Sequence, residues 1–417
     1  MTKPKNLLLV VLGLMPFLAL ASQAQVPAQT GKKPAIEVKD LPRLFDPAKL
    51  EDAKAALAAA KQLEEAFQGA RQPEAVRMLI AILRGSQMGG DYGWFGPPDT
   101  RYTIDWLAEQ CGVESAKGIS RAQFHGPDAW FKVLDRNKDS RITATDLDWT
   151  DRNPDMQMMA MANRIFRKIN TGGNGQLTKE ELTKFFDQVA KGKDYVSPDD
   201  FRDALLGGMS PGFLPGDAPT RAMLIRGLYE GSIGSMHEGP SINQPAPDFT
   251  LKMRDGKESV QLSKMIGKKP VVLILGNFSC GPFRSLYANL ESMQQRYKSD
   301  VNFLMVYVRE AHPTDGWKMA SNAKAGVEVK QPTTLQERVA VADQFCARLK
   351  PTMPLVVDDI NDPVGTAYSG MPGRFYVIDC QGKVAYKSGR GPFGFRFGEM
   401  EQAVVMALLE QTSSKTR

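Results

Sequence analysis

The sequence predicts a multidomain protein in which an all-α region precedes an α/β domain, and three observations carry that reading. Its 417 residues exceed the roughly 150 of one typical domain. From about residue 47 to residue 231, helix-forming stretches alternate with short polar loops, with no strand pattern of any length. Beyond the chain breakers Gly239, Pro240, Pro245 and Pro247, apolar runs rich in Val, Ile, Leu and Tyr alternate with helical segments, as in an α/β sheet. With 42% hydrophobic and 24% charged residues, the chain can bury cores on both sides of that boundary. Its net charge of +6 comes without the Lys and Arg runs of nucleic-acid binders, so no nucleic acid is expected as a partner.

Residues 1–24 read as a signal peptide for export. Lys3 and Lys5 precede an apolar run over residues 7–21, and small residues offer cleavage after Ala21 or Ala24. Pro16 interrupts the run, and its length of about 15 falls short of the ~20 residues of a spanning helix, so no stable membrane anchor is expected. Cleavage would leave an exported protein, periplasmic or extracellular, where disulfides persist and calcium is plentiful. Residues 25–100 form a helical N-terminal region, with Ala, Lys, Glu and Leu favouring one helix over 47–69 and another over 73–83.

Residues 101–232 follow as a helical domain whose loops resemble the EF-hand. The stretch 135–146 fits the 12-residue calcium loop: Asp135, Asn137, Asp139, Thr143 and Asp146 place side-chain oxygens at positions 1, 3, 5, 9 and 12, and Arg141 offers its carbonyl at position 7. Calcium is a hard cation that takes six to eight oxygens, and this spacing wraps them round one point. Ser140 replaces the usual turn glycine, and Asp146 is one carbon shorter than the usual Glu. A weaker loop, 170–181, offers Asn170, Asn174, Gln176, Thr178 and Glu181, with Gly175 at the turn but Gly172 where a ligand usually stands. Residues 118–120 and 195–197 echo the apolar and hydroxyl pairs of the two loops, as degenerate partner hands would. Residues 233–244 then read as a linker.

In the last part, residues 245–417, strands are expected over 270–275, 301–308, 355–357, 375–378 and 384–386. Four cysteines, Cys111, Cys280, Cys346 and Cys380, are too few for a disulfide scaffold, which directs attention to a reactive thiol. Cys380 reads as incidental in a turn, and Cys346 as part of an apolar helix face. Cys280 follows a buried strand and opens a helix near Pro282. A helix N-terminus favours negative charge, which predicts a thiolate with a pKa below the ordinary ~8.5.

This domain resembles the redoxin and peroxiredoxin group of the thioredoxin-like superfamily, and more closely the iodothyronine deiodinase family. Ser279, Cys280, Gly281, Pro282 and Phe283 look like the family's segment around its selenocysteine, with Cys280 in the selenocysteine position. Tyr307, Glu310, Ala311, His312, Asp315, Gly316 and Trp317 fall in a stretch similar to the family's Tyr-Ile-Glu-Glu-Ala-His-x-x-Asp-Gly-Trp. Residues 354–358 and 371–378 match later strands. With the loop reading above, the chain is expected to be an all-α EF-hand module followed by an α/β thioredoxin-like domain, and the resemblance implies Cys280 as nucleophile and His312 as proton donor or thiolate partner. It further implies a cis Pro372 beside the cysteine, with Glu310 and Trp317 lining the substrate pocket and Ser279 and Arg374 in support.

Residue 283 is Phe, so no Cys-x-x-Cys dithiol exists, and Phe278 replaces a cysteine that many family members carry. The expected function is thiol-dependent oxidoreduction: Cys280 attacks a small-molecule electrophile, an external thiol restores it, and calcium is the cofactor of the helical module. Two alternatives stand beside it. One is a peroxiredoxin-like thiol peroxidase, with Ser279 and either Arg284 or Arg374 beside the sulfur. The other is a non-enzymatic calcium-binding interaction protein. Arg374 stays open between a structural ion pair and a substrate-anion contact.

Overall fold

A computed structural model describes residues 33–85, 98–150, 153–206, 217, 219–234, 236–391 and 394–416. The expected export signal lies outside them. In chain order, with shorter helical turns between, the first part contains α1 (Ala53–Ala66), α2 (Glu74–Leu83), β1 (Asp99–Thr100), α3 (Ile104–Cys111), β2 (Ile119–Ser120), α4 (Asp128–Leu134), β3 (Arg141–Ile142), α5 (Pro154–Ile169), α6 (Lys179–Ala190), α7 (Pro198–Leu206) and α8 (Arg221–Tyr229). The second part contains β4 (Thr250–Lys252), β5 (Ser259–Gln261), β6 (Val271–Gly276), α9 (Gly281–Tyr297), β7 (Asn302–Tyr307), α10 (Leu335–Leu349), β8 (Leu355–Val357), β9 (Arg374–Ile378), β10 (Val384–Lys387) and α11 (Phe397–Thr416).

The helices begin where their caps dictate. Asp52 accepts the Ala55 N–H at 2.7 Å to start α1, Thr178 and Glu181 form a capping box on α6, and Thr334 and Glu337 do the same on α10. The central sheet has the order β1, β10, β9, β6, β7, β8. β6, β7 and β8 are parallel, while β9 runs antiparallel to β6 and β10 antiparallel to β9. Every residue of β6 is buried, as expected for a strand covered on both faces. Three parallel strands, a helix following β6, and two antiparallel strands on the other side make a thioredoxin-like α/β sheet.

Two features differ from the sequence reading. The helical part is not purely α: β1 joins the central sheet through Asp99 and Thr100, opposite Lys387 and Tyr386. A two-residue strand is too short to leave an alternating pattern. Nor do the parts have separate cores. Tyr102, Leu107, Phe124, Phe131, Leu134 and Ile142 share one apolar core with the sheet, and Gln402 of α11 accepts from the Trp149 indole at 2.7 Å. The second core joins α1, α2 and α8 with Ile233, so the stretch read as a linker begins inside packed structure.

A buried charge cluster ties that second core to the sheet. Arg374 of β9 donates to both Glu74 oxygens, at 2.6 and 3.0 Å, and Arg390 lies 3.3 Å from the same carboxylate. This settles the role left open for Arg374: it is a structural ion pair, 1% exposed, rather than a substrate contact. Burial alone would raise the Glu74 pKa, but the Arg374 and Arg390 guanidiniums hold it well below the carboxylate range. The folded-state pKa is therefore depressed, so the stabilisation is present above the unfolded value of ~4.3 and lost as pH falls further. Replacing Glu74→Gln leaves two buried guanidiniums without their carboxylate, and urea unfolding at pH 7 should show a loss of about 3–5 kcal/mol. The same variant should lose less further stability than the parent between about pH 4.3 and the acid limit.

Candidate active site

β6 carries an unbroken apolar run into the centre of the sheet and ends at Gly276. Its last residue packs against the Phe283 ring so closely that a Cβ there would overlap the ring. The chain then turns through Asn277, Phe278 and Ser279, and Cys280 is the N-cap residue of α9 with extended backbone (φ −76°, ψ 100°). This turn is buried, so its polar groups need internal partners.

Asn277 serves the cysteine and ties the turn to two other segments. Its Oδ1 accepts from the Cys280 N–H at 3.0 Å and the Ala311 N–H at 3.3 Å, while its Nδ2 donates to the Pro372 carbonyl at 2.9 Å. The Met371–Pro372 bond is cis, as the resemblance implied. One amide thus joins the cysteine turn, the loop after β7 and the segment leading into β9. Sequence reasoning passed over Asn277, whose only signal was its place between a strand end and the cysteine.

Glu310 braces the same turn from β7's side. Its Oε2 accepts from the Ser279 N–H at 2.8 Å and its Oε1 from the Tyr307 hydroxyl, which in turn accepts from the Phe278 N–H at 3.1 Å. Burial raises the Glu310 pKa, against these hydrogen bonds. Glu310 is 2% exposed, so it holds the cysteine turn instead of lining a pocket as expected. Ser279 is likewise engaged. Its hydroxyl accepts from the His312 backbone N–H at 2.9 Å and its carbonyl from Asn322 Nδ2 at 2.7 Å.

The His312 ring is anchored by Trp317, whose carbonyl lies 3.0 Å from Nδ1 and whose ring meets it edge to face at 5.1 Å. A carbonyl only accepts, so Nδ1 carries the hydrogen and Nε2 keeps its lone pair. Burial pushes the His312 pKa down to about 4. At neutral pH the imidazole is therefore an uncharged base; of the two roles the sequence suggested, a resting imidazolium that holds a thiolate is overturned.

The expected low-pKa thiolate is also overturned. Cys280 is fully buried, and desolvation pushes its pKa up to about 11, outweighing the Phe283 N–H and the Arg284 charge that pull it down. The helix N-terminus is present, but it acts on a thiol without water. Arg284 is the cation of this site. Its Nη1 donates to the Phe278 carbonyl and its Nη2 to Asn322 Oδ1 at 2.8 Å, its Nε has no partner, and among the described residues no carboxylate forms an ion pair with it. Burial lowers its pKa to about 10. All four cysteines are free.

In the helical part, the two stretches read as calcium loops follow α4 and α5. β2 pairs with β3, placing Ile119 opposite Ile142, so 118–120 is the partner of the first loop as the echo suggested. Among the described residues no three His, Cys, Asp or Glu side chains converge on one point. A cation in 135–146 would therefore rest on amide, hydroxyl and carbonyl oxygens as well as carboxylates. Asp135 Oδ1 is buried there without a hydrogen-bond partner.

Comparison with known proteins agrees with the geometry of the second part. Residues 224–410 match the iodothyronine deiodinase family. Similar curated proteins include the thyroxine 5-deiodinase of Homo sapiens, 32% identical over 165 residues, or 39% of this chain and 51% of that protein. That of Gallus gallus is 28% identical over 177 residues, or 42% and 67%. The chain thus spans between about half and two thirds of the length of these relatives. Among solved structures, a thiol:disulfide interchange protein from Chlorobium tepidum is 24% identical, with 41% of this chain and 99% of that one covered, at a TM-score of 0.29. A protein disulfide isomerase from Bacteroides thetaiotaomicron is 21% identical, covering 43% and 96%, at 0.31. The family match and these relatives support an oxidoreductase enzyme.

In the folded protein, iodoacetamide should alkylate Cys280 slowly at pH 7, with a rate that climbs only above about pH 9, because a thiol whose folded pKa is raised forms thiolate late. Arg284→Met removes the nearby cation and should move that profile to still higher pH. Mass spectrometry of the Cys280 peptide across a pH series checks both.

Proposed function

We propose that this protein is an exported thiol-dependent reductase in which Cys280 takes the selenocysteine position of the deiodinases and removes a halogen from a small aromatic molecule. The observation that carries the reading is the cysteine turn. A thiol at a helix N-terminus is held by Asn277 and Glu310 beside cis Pro372, with a buried Arg284 guanidinium whose Nε has no partner and a neutral imidazole in the next loop. Each group has a task in attack on a soft electrophile.

In the proposed reaction, entry of the substrate opens the closed thiol shell, and His312 Nε2 accepts the Cys280 proton while Arg284 stabilises the thiolate. The sulfur attacks the halogen and the carbon–halogen bond breaks. The carbon takes the proton back from His312, leaving a sulfenyl halide on Cys280. An external thiolate then displaces halide to give a mixed disulfide, and a second releases the Cys280 thiolate as the external disulfide forms. Two thiols are oxidised for each carbon–halogen bond reduced. Peroxide is the second electrophile to consider, because Arg284 beside a buried cysteine also suits a sulfenate-forming thiol.

Calcium belongs to this reading as a structural ion of loop 135–146. Asp135, Asn137, Asp139, Thr143 and Asp146, with the Arg141 carbonyl, would hold it, and the orphaned Asp135 Oδ1 is the support for it. The ion would supply positive charge between carboxylates that otherwise repel. Burial raises the Asp135 pKa, and Asp146 and Asp139 add to it against the Ser140 N–H.

The test supplies dithiothreitol with iodinated and brominated phenols or with hydrogen peroxide, and follows halide release or peroxide loss. Cys280→Ser should abolish turnover, and Asn277→Ala should lower it by about 100-fold while costing about 1–3 kcal/mol of stability. Turnover of peroxide alone replaces the dehalogenase reading with a peroxidase. No turnover of any electrophile leaves a calcium-binding interaction protein as the better account.

A further inference from the structure

The two calcium-type loops share one scaffold. Positions 4 and 6 are left-handed in both: Lys138 and Ser140 at φ 62° and 70°, Gly173 and Gly175 at 59° and 75°. The first-position side chain accepts from the N–H of position 6 in each loop, Asp135 from Ser140 and Asn170 from Gly175, both at 3.1 Å. The last-position carboxylate accepts from the N–H groups of positions 3 and 9 in each: Asp146 at 3.1 and 2.8 Å, Glu181 at 2.8 and 3.0 Å. Sharing this network, the loops differ in the remaining atom of the first residue.

In the first loop that atom is Asp135 Oδ1, an acceptor with no partner. In the second it is Asn170 Nδ2, a donor. It lies 2.7 Å from the Gln176 carbonyl, 3.2 Å from Asn174 Oδ1 and 3.2 Å from each oxygen of Glu181. Positions 5, 7 and 12 are those that converge on the cation in a loop of this kind. The reverse amide orientation would set an oxygen against these four acceptors and an NH2 against the Gly175 N–H, so the network fixes the assignment.

The second loop is also seated on the cysteine helix. Gly175 lies against the Ser285 carbonyl so closely that a Cβ would overlap it, and the Arg284 carbonyl is 3.3 Å from that same point. A Cβ on Gly173 would lie 4.0 Å from Arg284 Nη2. Arg348 of α10 donates to the Gly172 carbonyl at 2.9 Å.

We propose that loop 170–181 is a metal-independent clamp: the Asn170 amide takes the place of the cation, and the loop so organised holds the first turn of α9 and Arg284 beside Cys280. The loop thus couples the helical part to the thiol, whichever electrophile that thiol takes.

The experiment compares Asn170→Asp and Gly175→Ala with the parent full chain, in chelator and in millimolar calcium, reading the alkylation rate of Cys280 and the melting temperature. Asn170→Asp sets a carboxylate oxygen against Glu181. In chelator it should melt lower and alkylate about tenfold faster, equivalent to ~1.4 kcal/mol of easier local opening, and calcium should reverse both. Gly175→Ala should alkylate faster with or without calcium, and Arg348→Ala is the milder substitute if circular dichroism shows that variant unfolded. In Asp135→Asn protein, whose first loop lacks its leading carboxylate, the rate should be the same with chelator and calcium. The proposal is overturned if Asn170→Asp behaves as the parent does in chelator, if calcium fails to reverse it, if calcium still changes the Asp135→Asn rate, or if loosening the dock leaves Cys280 reactivity unchanged.

Discussion

The amide of Asn277 is the interaction on which the rest of the site depends. The end of β6 is sealed on both faces, so the turn that follows cannot give its N–H and carbonyl groups to water. One side chain with two functions answers that constraint. Its oxygen takes the Cys280 and Ala311 N–H groups and its nitrogen serves Pro372. Removing it would leave buried donors without acceptors on two segments at once. The loss would fall on geometry at the cysteine more than on the stability of the sheet, whose strands are secured by their own ladders.

Burial and reactivity oppose each other at this turn, and the magnitudes decide the resting state. The helix N-terminus is worth at most about 2 kcal/mol to a nearby negative charge, whereas full desolvation can cost the charged form about 4–7 kcal/mol when no counter-ion is in contact. Arg284 offsets part of that cost, but as a partly satisfied guanidinium held by a carbonyl and an amide it is shared with the scaffold. Cys280 is therefore a protected thiol. That limits oxidation of the sulfur, because sulfenate formation tracks thiolate character and access. Its price is that catalysis requires an opening step.

The sequence was most informative where a pattern is local. Strand runs, cap residues, the twelve-residue loops and the cysteine at a strand end can be read without knowing what lies across the fold. The two-residue strand at Asp99 and the sharing of one core by Leu134 and the sheet have no local signature. The same holds for the pairing of Arg374 with Glu74, 300 positions apart. Site chemistry divides in the same way. Cys280, His312 and Pro372 were legible through the family resemblance, but their protonation states follow from burial, which depends on every neighbour. Glu310 shows the hazard, since a carboxylate in a signature stretch was read as pocket lining and is the brace of the turn.

On the proposed reading, the two loops keep one metal-binding scaffold while changing its metal dependence. A loop of this kind is costly to form because it forces left-handed backbone and crowds carboxylates. A cation offsets that cost only when it is present. At position 1, Asp and Asn differ by one atom, and that atom decides whether the cage is closed by an ion or by the chain itself. Substituting the neutral donor gives up affinity for calcium and gains an organisation that does not vary with its supply. The substitution stands in the loop that touches the cysteine helix, while the loop with the orphaned carboxylate is bonded to α11, whose Gln402 donates to the Asp146 carbonyl at 3.1 Å. The proposal thus divides constancy beside the thiol and ion binding between two copies of one motif.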